Sequence, residues 1–86
     1  MAEKEIGKVS HYFGHINVAG IDITDGELKI GDKIHILGHT TDLVHTIISI
    51  QIEHQQVEKA GAGDSIGIKV SDRVREHDTV YLVTED

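Results

Sequence analysis

The sequence has 86 residues, 15 acidic against eight basic, and therefore a net charge of −7 with histidine neutral. That length predicts one domain, spanning 1–86, rather than two, while the absence of cysteine excludes a disulfide framework and a thiolate metal site. The acidic balance argues against a protein that wraps a nucleic-acid backbone, and a charged N-terminus without a signal-peptide or membrane-spanning run predicts a cytoplasmic location.

Apolar residues recur with a period of two along the chain, which is typical of β-strands rather than helices. In chain order the pattern predicts a strand over 5–13, a second over 16–24 and a third over 33–37. Residues that favour turns, such as Asp25 and Gly26, separate these strands.

The segment 43–54 is the longest predicted strand, and its alternation predicts which side chains face the core. Even-numbered positions, among them Val44 and Ile48, are expected to point inward. Odd-numbered positions are mostly polar and are expected to face solvent, with Ile47 as the exception.

Shorter elements complete the chain: a strand at 56–58, a small-residue turn at 60–64, an alternating strand at 66–70, a charged connection at 71–78 and a last strand at 79–84. We expect the charged connection to hold one helical turn. Six to seven short strands with turns between them predict an all-β fold, a small closed antiparallel Greek-key barrel. Closure would remove exposed edges from strands rich in isoleucine and valine.

Three segments carry a family resemblance: Gly-Lys-Val at 7–9, Leu-Lys-Ile-Gly-Asp-Lys-Ile at 28–34 and Ala-Gly-Asp-Ser-Ile-Gly-Ile at 62–68. In this order and spacing, the chain resembles the translation-protein β-barrel, which is domain 2 of elongation factor Tu, initiation factor 2 and related GTPases. The resemblance covers essentially the whole chain and implies a short stand-alone, elongation-factor-like barrel without the GTPase domain. A similar barrel is also appended to some peptidases.

Two Gly-Asp pairs within these segments have a structural explanation. We expect Gly31 and Gly63 to adopt turn conformations with positive φ, which residues with side chains resist. Asp32 and Asp64 are expected to accept hydrogen bonds from nearby backbone N–H groups in the same turns. The sequence therefore favours structural turns over catalytic acids at these four positions.

The resemblance also implies where a ligand would bind. In elongation factor Tu this barrel helps to hold the aminoacylated end of tRNA, and the Ala-Gly-acid turn places the corresponding positions at Gln51, His54 and Ser65. The elongation factor has an acid, an arginine and an amide there, so this chain keeps the polarity and loses the charges. The alternative is that these three are ordinary polar residues at strand ends.

The motifs that carry enzyme chemistry are missing from the sequence. There is no Gly-x-x-x-x-Gly-Lys-Ser/Thr loop to cradle nucleotide phosphates, so no GTP binding is expected. Ser65 comes nearest to a Gly-x-Ser-x-Gly elbow, but it belongs to a predicted all-β turn and not to a strand-to-helix turn. We therefore predict a protein that is not an enzyme and that needs no cofactor.

Histidine is frequent, with seven residues in 86. A zinc site needs three or four ligands in good geometry, and the histidine spacing offers no such motif, so we predict surface histidines and no metal site. The seven are His11, His15, His35, His39, His45, His54 and His77.

Two functional hypotheses remain open. The first is a non-catalytic module that binds a tRNA end or another component of the translation apparatus, as the resemblance implies. Its weakness is the acidic balance, because proteins that bind single strands use basic grooves and stacking rings. The second is a protein-interaction or adaptor barrel that acts beside a separate GTPase or peptidase. Arg73 and Arg75 would then be the anchors for the protein partner, and neither hypothesis involves a membrane.

Overall fold

The computed structural model describes residues 2–84, which form ten β-strands and no helix. The strands are β1 (Ala2–Phe13), β2 (Val18–Ile23), β3 (Glu27–Lys29), β4 (Lys33–Leu37), β5 (Asp42–Thr46), β6 (Ile50–Ile52), β7 (Gln55–Val57), β8 (Lys59–Gly61), β9 (Ser65–Lys69) and β10 (Thr79–Thr84).

Eight strands form one antiparallel sheet in the order β5–β4–β10–β1–β2–β9–β6–β7, and β3 pairs with β8 in a separate antiparallel ribbon. β1 pairs with both β10 and β2, and it changes register between Glu5 and Gly7 and again between Val9 and His11. Such bulges bend a strand and increase its twist, which allows one long strand to serve two neighbours along a curved sheet.

One chain segment connects the two sides of this sheet. β5 pairs with β4, β6 pairs with β9, and residues 47–49 join β5 directly to β6. The predicted all-β antiparallel fold is therefore confirmed. Within residues 2–84 the two edge strands of the sheet, β5 and β7, do not pair with each other. The two sides of the curved sheet are joined there by the chain connection at 47–49.

The core inside the sheet is aliphatic, as a chain with three aromatic residues requires. Burying each such side chain stabilises the fold by roughly 1.5–3 kcal/mol before the entropy of ordering is subtracted. The largest fully buried members are Ile6, Val9, Ile21, Leu28, Ile34, Ile36, Ile47, Ile50, Ile68, Val74 and Val80.

The predicted strand over 43–54 was wrong in its continuity and in its first half. Val44 and Ile48 were expected inside but are 55% and 63% exposed, whereas Ile47 is fully buried. The Ile47 N–H donates to the Asp32 carbonyl at 2.8 Å and its carbonyl accepts from Gly31, so the chain turns away from the sheet there. Odd-numbered side chains therefore face the core in β5 and even-numbered ones face it in β6. The change occurs at the interruption at 47–49, because two strands joined by a bend need not share one alternation of buried and exposed positions.

The helical turn expected within 71–78 was also wrong, since no residue there is helical. Val74 is instead buried in the core, and residues 75–78 form a β-turn in which the Asp78 N–H donates to the Arg75 carbonyl at 3.2 Å. The charged side chains of this segment are exposed apart from that of Asp78, which is buried like Val74.

Candidate functional site

Two turns of the same design border the sheet. Gly31 has φ of 98° and Gly63 has φ of 95°, the conformation that the third residue of a type II turn requires. The carboxylate of Asp32 accepts a hydrogen bond from the N–H three residues earlier at 3.0 Å, and that of Asp64 does the same at 2.9 Å. These groups are structural parts of the turns.

A cleft of about 350 Å³ opens on the outer face of the sheet, where β2, β9 and β6 lie side by side. Its floor is made by Gly20 and Gly67, which pair across β2 and β9, and Gln51 of β6 pairs with Gly67 on the far side. We call it the Gly67 cleft. It is lined by Ser10, Phe13, Ile16, Val18, Gly20, Gln51, Glu53, His54, Ser65, Ile66 and Gly67.

The floor is open because of the strand alternation. Ala19 and Ile21 of β2 are buried in the core, and Gly20 between them points to the other face, where Ser10 and the backbone of His11 lie close to it and keep it buried. Gly67 lies opposite it, and neither glycine carries a side chain. No side chain therefore rises from these two neighbouring strand positions, and Gly67 is the one that remains partly exposed.

Two hairpins form the walls of the Gly67 cleft. On one side, the hairpin between β1 and β2 contributes Phe13 and Ile16, which are 47% and 58% exposed. On the other side, the hairpin between β6 and β7 contributes Glu53 and His54. The first wall is apolar and the second is polar.

The second wall is held in an unusual backbone conformation. Glu53 and His54 have φ of 50° and 65°, and they form the two-residue loop between the paired Ile52 and Gln55. Two positive φ angles define a type I′ turn, which strongly prefers Asn-Gly. Neither a glutamate nor a histidine favours this conformation, and such strain tends to persist at functional sites.

All three residues that the resemblance singled out line the Gly67 cleft. Gln51 is on β6, His54 is in the following hairpin and Ser65 begins β9. The Ser65 hydroxyl donates to the Asp22 carboxylate at 2.7 Å and so engages an acid and not an imidazole base. Sequence reasoning missed Phe13 and Ile16, since only the pairing of β2 with β9 brings the β1–β2 hairpin to the same cleft.

The charge of the Gly67 cleft is unlike that of a phosphate site. Among residues 2–84, no lysine or arginine lines it, and Glu53 is the one formally charged side chain there. An apolar wall with a few polar groups is typical of sites that hold a small apolar or amphipathic group.

A second depression of about 410 Å³ lies between the end of β1 and the 71–78 connection. We call it the arginine cleft. It is lined by His11, Tyr12, Arg73, Val74, Arg75 and Glu76. This is the segment in which the sequence predicted anchors for a protein partner.

His35 joins three strands through its side chain. Its Nδ1 lies 3.0 Å from the Glu3 carboxylate on β1, and its Nε2 lies 2.6 Å from the Asp42 carboxylate on β5. A neutral imidazole has one N–H, so hydrogen bonds to both carboxylates require the protonated ring. The hydrogen bond that His35 donates to Asp42, followed by the one that it donates to Glu3, holds the pKa of His35 above its ordinary value of 6.5.

Within residues 2–84 no three histidine or acidic side chains come together as a group that could hold a metal ion. In the same range no helix is long and apolar enough to cross a membrane. The cytoplasmic location stays a prediction.

The architecture defines the class of protein, a small all-β domain of the barrel type with an open cleft on its outer face. The chain belongs to the elongation factor Tu domain 2 family, whose model matches residues 17–76. The resemblance inferred from the sequence is therefore confirmed.

Solved structures share this fold. The C-terminal domain of a putative U32 peptidase from Geobacillus thermoleovorans superposes with a TM-score of 0.86 at 15% identity, over 94% of this chain and 93% of that domain. GDP-bound aIF5B from Aeropyrum pernix gives a TM-score of 0.63 at 18% identity, over 91% of this chain and 15% of that one. At these identities the likeness concerns the fold alone.

Curated relatives are more similar in sequence. An uncharacterized protease of Methanocaldococcus jannaschii is 44% identical over 82 residues, which are 94% of this chain and 20% of that protein. A collagenase of Porphyromonas gingivalis is 43% identical over 77 residues, which are 88% of this chain and 21% of that protein. The chain thus spans about a fifth of the length of the relatives it matches.

Proposed function

We propose that this chain is a non-catalytic protein-interaction barrel that acts beside a peptidase. The observation that carries the proposal is the match of nearly the whole chain, at 43–44% identity, to one fifth of a protease and of a collagenase. The remaining four fifths of such proteins leaves ample room for a separate catalytic part. The barrel would then bind and orient protein rather than cleave it.

The apolar lining of the Gly67 cleft favours a protein partner. Phe13 and Ile16 project from one hairpin and remain about half exposed, although most large apolar side chains of the chain are buried. An aromatic side chain at the centre of a contact area is the type of residue that contributes most to protein binding. Gly67 is partly exposed and carries no side chain, which leaves room in the cleft for one inserted side chain of the partner.

Binding of an RNA end is the second candidate. Its support is that Gln51, His54 and Ser65 share one cleft, as the resemblance to elongation factor Tu implies. Its weakness is charge, because a phosphate there would face Glu53 and a chain with a net charge of −7. The apolar wall fits a side chain better than a sugar-phosphate backbone.

The two candidates can be separated by affinity purification of the tagged chain from cells of its own source. We expect a peptidase-related protein to be identified by mass spectrometry in the eluate, and to be lost with the Phe13→Ser/Ile16→Ser variant. Val44→Ser is the matched control, since Val44 is equally exposed but lies on β5, away from the cleft.

The nucleic-acid content of the same eluate decides between the candidates. Recovery of tRNA without a peptidase would contradict the proposal and support RNA binding. Recovery of the peptidase with both variants would leave the partner in place and refute the role of the Gly67 cleft.

A further inference from the structure

The arginine cleft has the chain's only two arginines on one rim. Both side chains are exposed, whereas Val74 between them is 1% exposed and packs into the core. Within residues 2–84, neither guanidinium lies within ion-pair distance of a carboxylate. The nearby acid, Glu76, bonds instead to His11, with 3.0 Å between its carboxylate and the ring Nδ1.

The backbone at Arg75 is fixed in place, and the buried Val74 links it to Arg73. The Arg75 N–H donates to the Asp78 carboxylate at 2.9 Å, and the His77 N–H donates to the Val9 carbonyl at 2.8 Å. Asp78 is itself buried, and its carbonyl accepts from the Val9 N–H at 2.8 Å. A fixed backbone lowers the entropy that is lost when the arginines engage a partner.

The arginine cleft and the Gly67 cleft are neighbours. The rings of His11 and Phe13 make an edge-to-face contact with 4.5 Å between their centres. His11 lines the arginine cleft and Phe13 lines the Gly67 cleft, so this ring pair is the ridge between them. A short extended segment that crosses the ridge can reach both clefts at once.

We propose that the two clefts together bind an extended protein segment in which an apolar side chain enters the Gly67 cleft and an adjacent carboxylate is held by Arg73 and Arg75. The guanidinium group offers a planar fork of donors that matches a carboxylate. This inference rests on the proposed protein-binding function, and it adds the chemistry of the partner, an acidic residue next to an apolar one.

Charge and shape favour a peptide carboxylate over an RNA phosphate. Two positive charges on a chain of net charge −7 are too few to follow a polyphosphate backbone, but they suffice for one carboxylate. The neighbouring apolar wall of Phe13 and Ile16 calls for a ligand that is apolar next to its charge, which a peptide provides.

The test uses the full chain labelled with ¹⁵N and two blocked tetrapeptides, Gly-Leu-Glu-Gly and its uncharged counterpart Gly-Leu-Gln-Gly. We expect the glutamate peptide to bind about tenfold more tightly than the glutamine peptide. We also expect it to shift the side-chain Nε–Hε signals of both arginines together with the amide of Phe13. In the Arg73→Gln/Arg75→Gln variant the two peptides should bind equally.

Lys29→Gln/Lys59→Gln is the matched control, because it removes two positive charges from a separate depression lined by Lys29, Ile30, Glu58 and Lys59. It should keep the preference for the glutamate peptide. Equal binding of the two peptides to the unmodified chain would overturn the inference, and so would a preference that survives loss of both arginines. No shift at either arginine with about 10 mM glutamate peptide would overturn it as well.

Two further outcomes separate this inference from the proposed function. If the peptidase is recovered equally well with the double arginine variant, the acidic segment is wrong while the adaptor function stands. If a 5′-phosphorylated RNA trinucleotide displaces the glutamate peptide from the arginines, the protein ligand itself is wrong.

Discussion

The open floor of the Gly67 cleft predicts that affinity and stability can be changed separately. The perturbation is Gly67→Val, which adds three carbon atoms to the centre of the floor. Gly67 is not in a positive-φ conformation, and an added Cβ would lie 3.2 Å from Cγ1 of Val18. That contact is tight but is made with one methyl group on the outer face, where the side chain has room to move.

We expect Gly67→Val to change the free energy of unfolding little and to weaken peptide binding strongly. Replacing a strand glycine with a side-chained residue contributes roughly 0.5–1 kcal/mol of stability, which offsets the tight contact with Val18. The free energy of unfolding should therefore change by less than about 1 kcal/mol. The inserted partner side chain loses its place, and burial of a leucine is worth roughly 1.5–3 kcal/mol, so binding should weaken about tenfold to a hundredfold.

The assay pairs urea unfolding with titration of the Gly-Leu-Glu-Gly peptide. Gly61→Val is the control, because Gly61 is also a strand glycine, on β8, and its added Cβ would make only ordinary contacts with Gly26 and Glu27. Unchanged peptide affinity in Gly67→Val would refute the assignment of the cleft as the site of the inserted side chain. Loss of folding in Gly67→Val alone would refute the reasoning about space above the floor.

Three more predictions concern stability. The pKa of His35 is raised in the folded state, so its bonds to Glu3 and Asp42 contribute fully below about pH 6.5 and are lost as pH rises through the folded-state pKa. Urea unfolding should show the largest loss for His35→Gln near pH 5.5 and a shrinking loss towards pH 8; a constant loss would contradict this. His45→Leu should stabilise by about 1 kcal/mol, because Nε2 of His45 is buried with no partner in residues 2–84, and a lower melting temperature would contradict this. Gly38→Ala should destabilise by about 1–3 kcal/mol, because its Cβ would overlap the buried carboxylate of Asp78, and an unchanged unfolding midpoint would refute the overlap.

Local rules account for the parts of the fold that the sequence predicted. The strands at 33–37 and 79–84 have the predicted bounds, because short alternating runs between turn residues leave little choice of conformation. The positive φ angles of Gly31 and Gly63 likewise follow from local sequence, because the third residue of a type II turn has a positive φ that few residues other than glycine adopt.

Local rules fail where contacts between distant strands decide. The alternation in 43–54 offers two inward faces, and the hydrogen bonds of Ile47 to the turn at 31–32 select one of them for β5 and the other for β6. The turn at 75–78 is similar, since its geometry depends on Val9 in β1 and on burial of Val74.

From its residues alone the chain could be assigned to the all-β class and to its family, and the turn glycines and three polar residues of the Gly67 cleft could be identified. Folding of the whole chain places Phe13 and Ile16 opposite those residues, and it places Arg73 and Arg75 across the ridge formed by His11 and Phe13. The physical reason is that hydrophobic alternation fixes which face of a strand is buried but carries no information about which strand lies next to it. Neighbours in the sheet follow from packing of the whole core, and the clefts are formed between those neighbours.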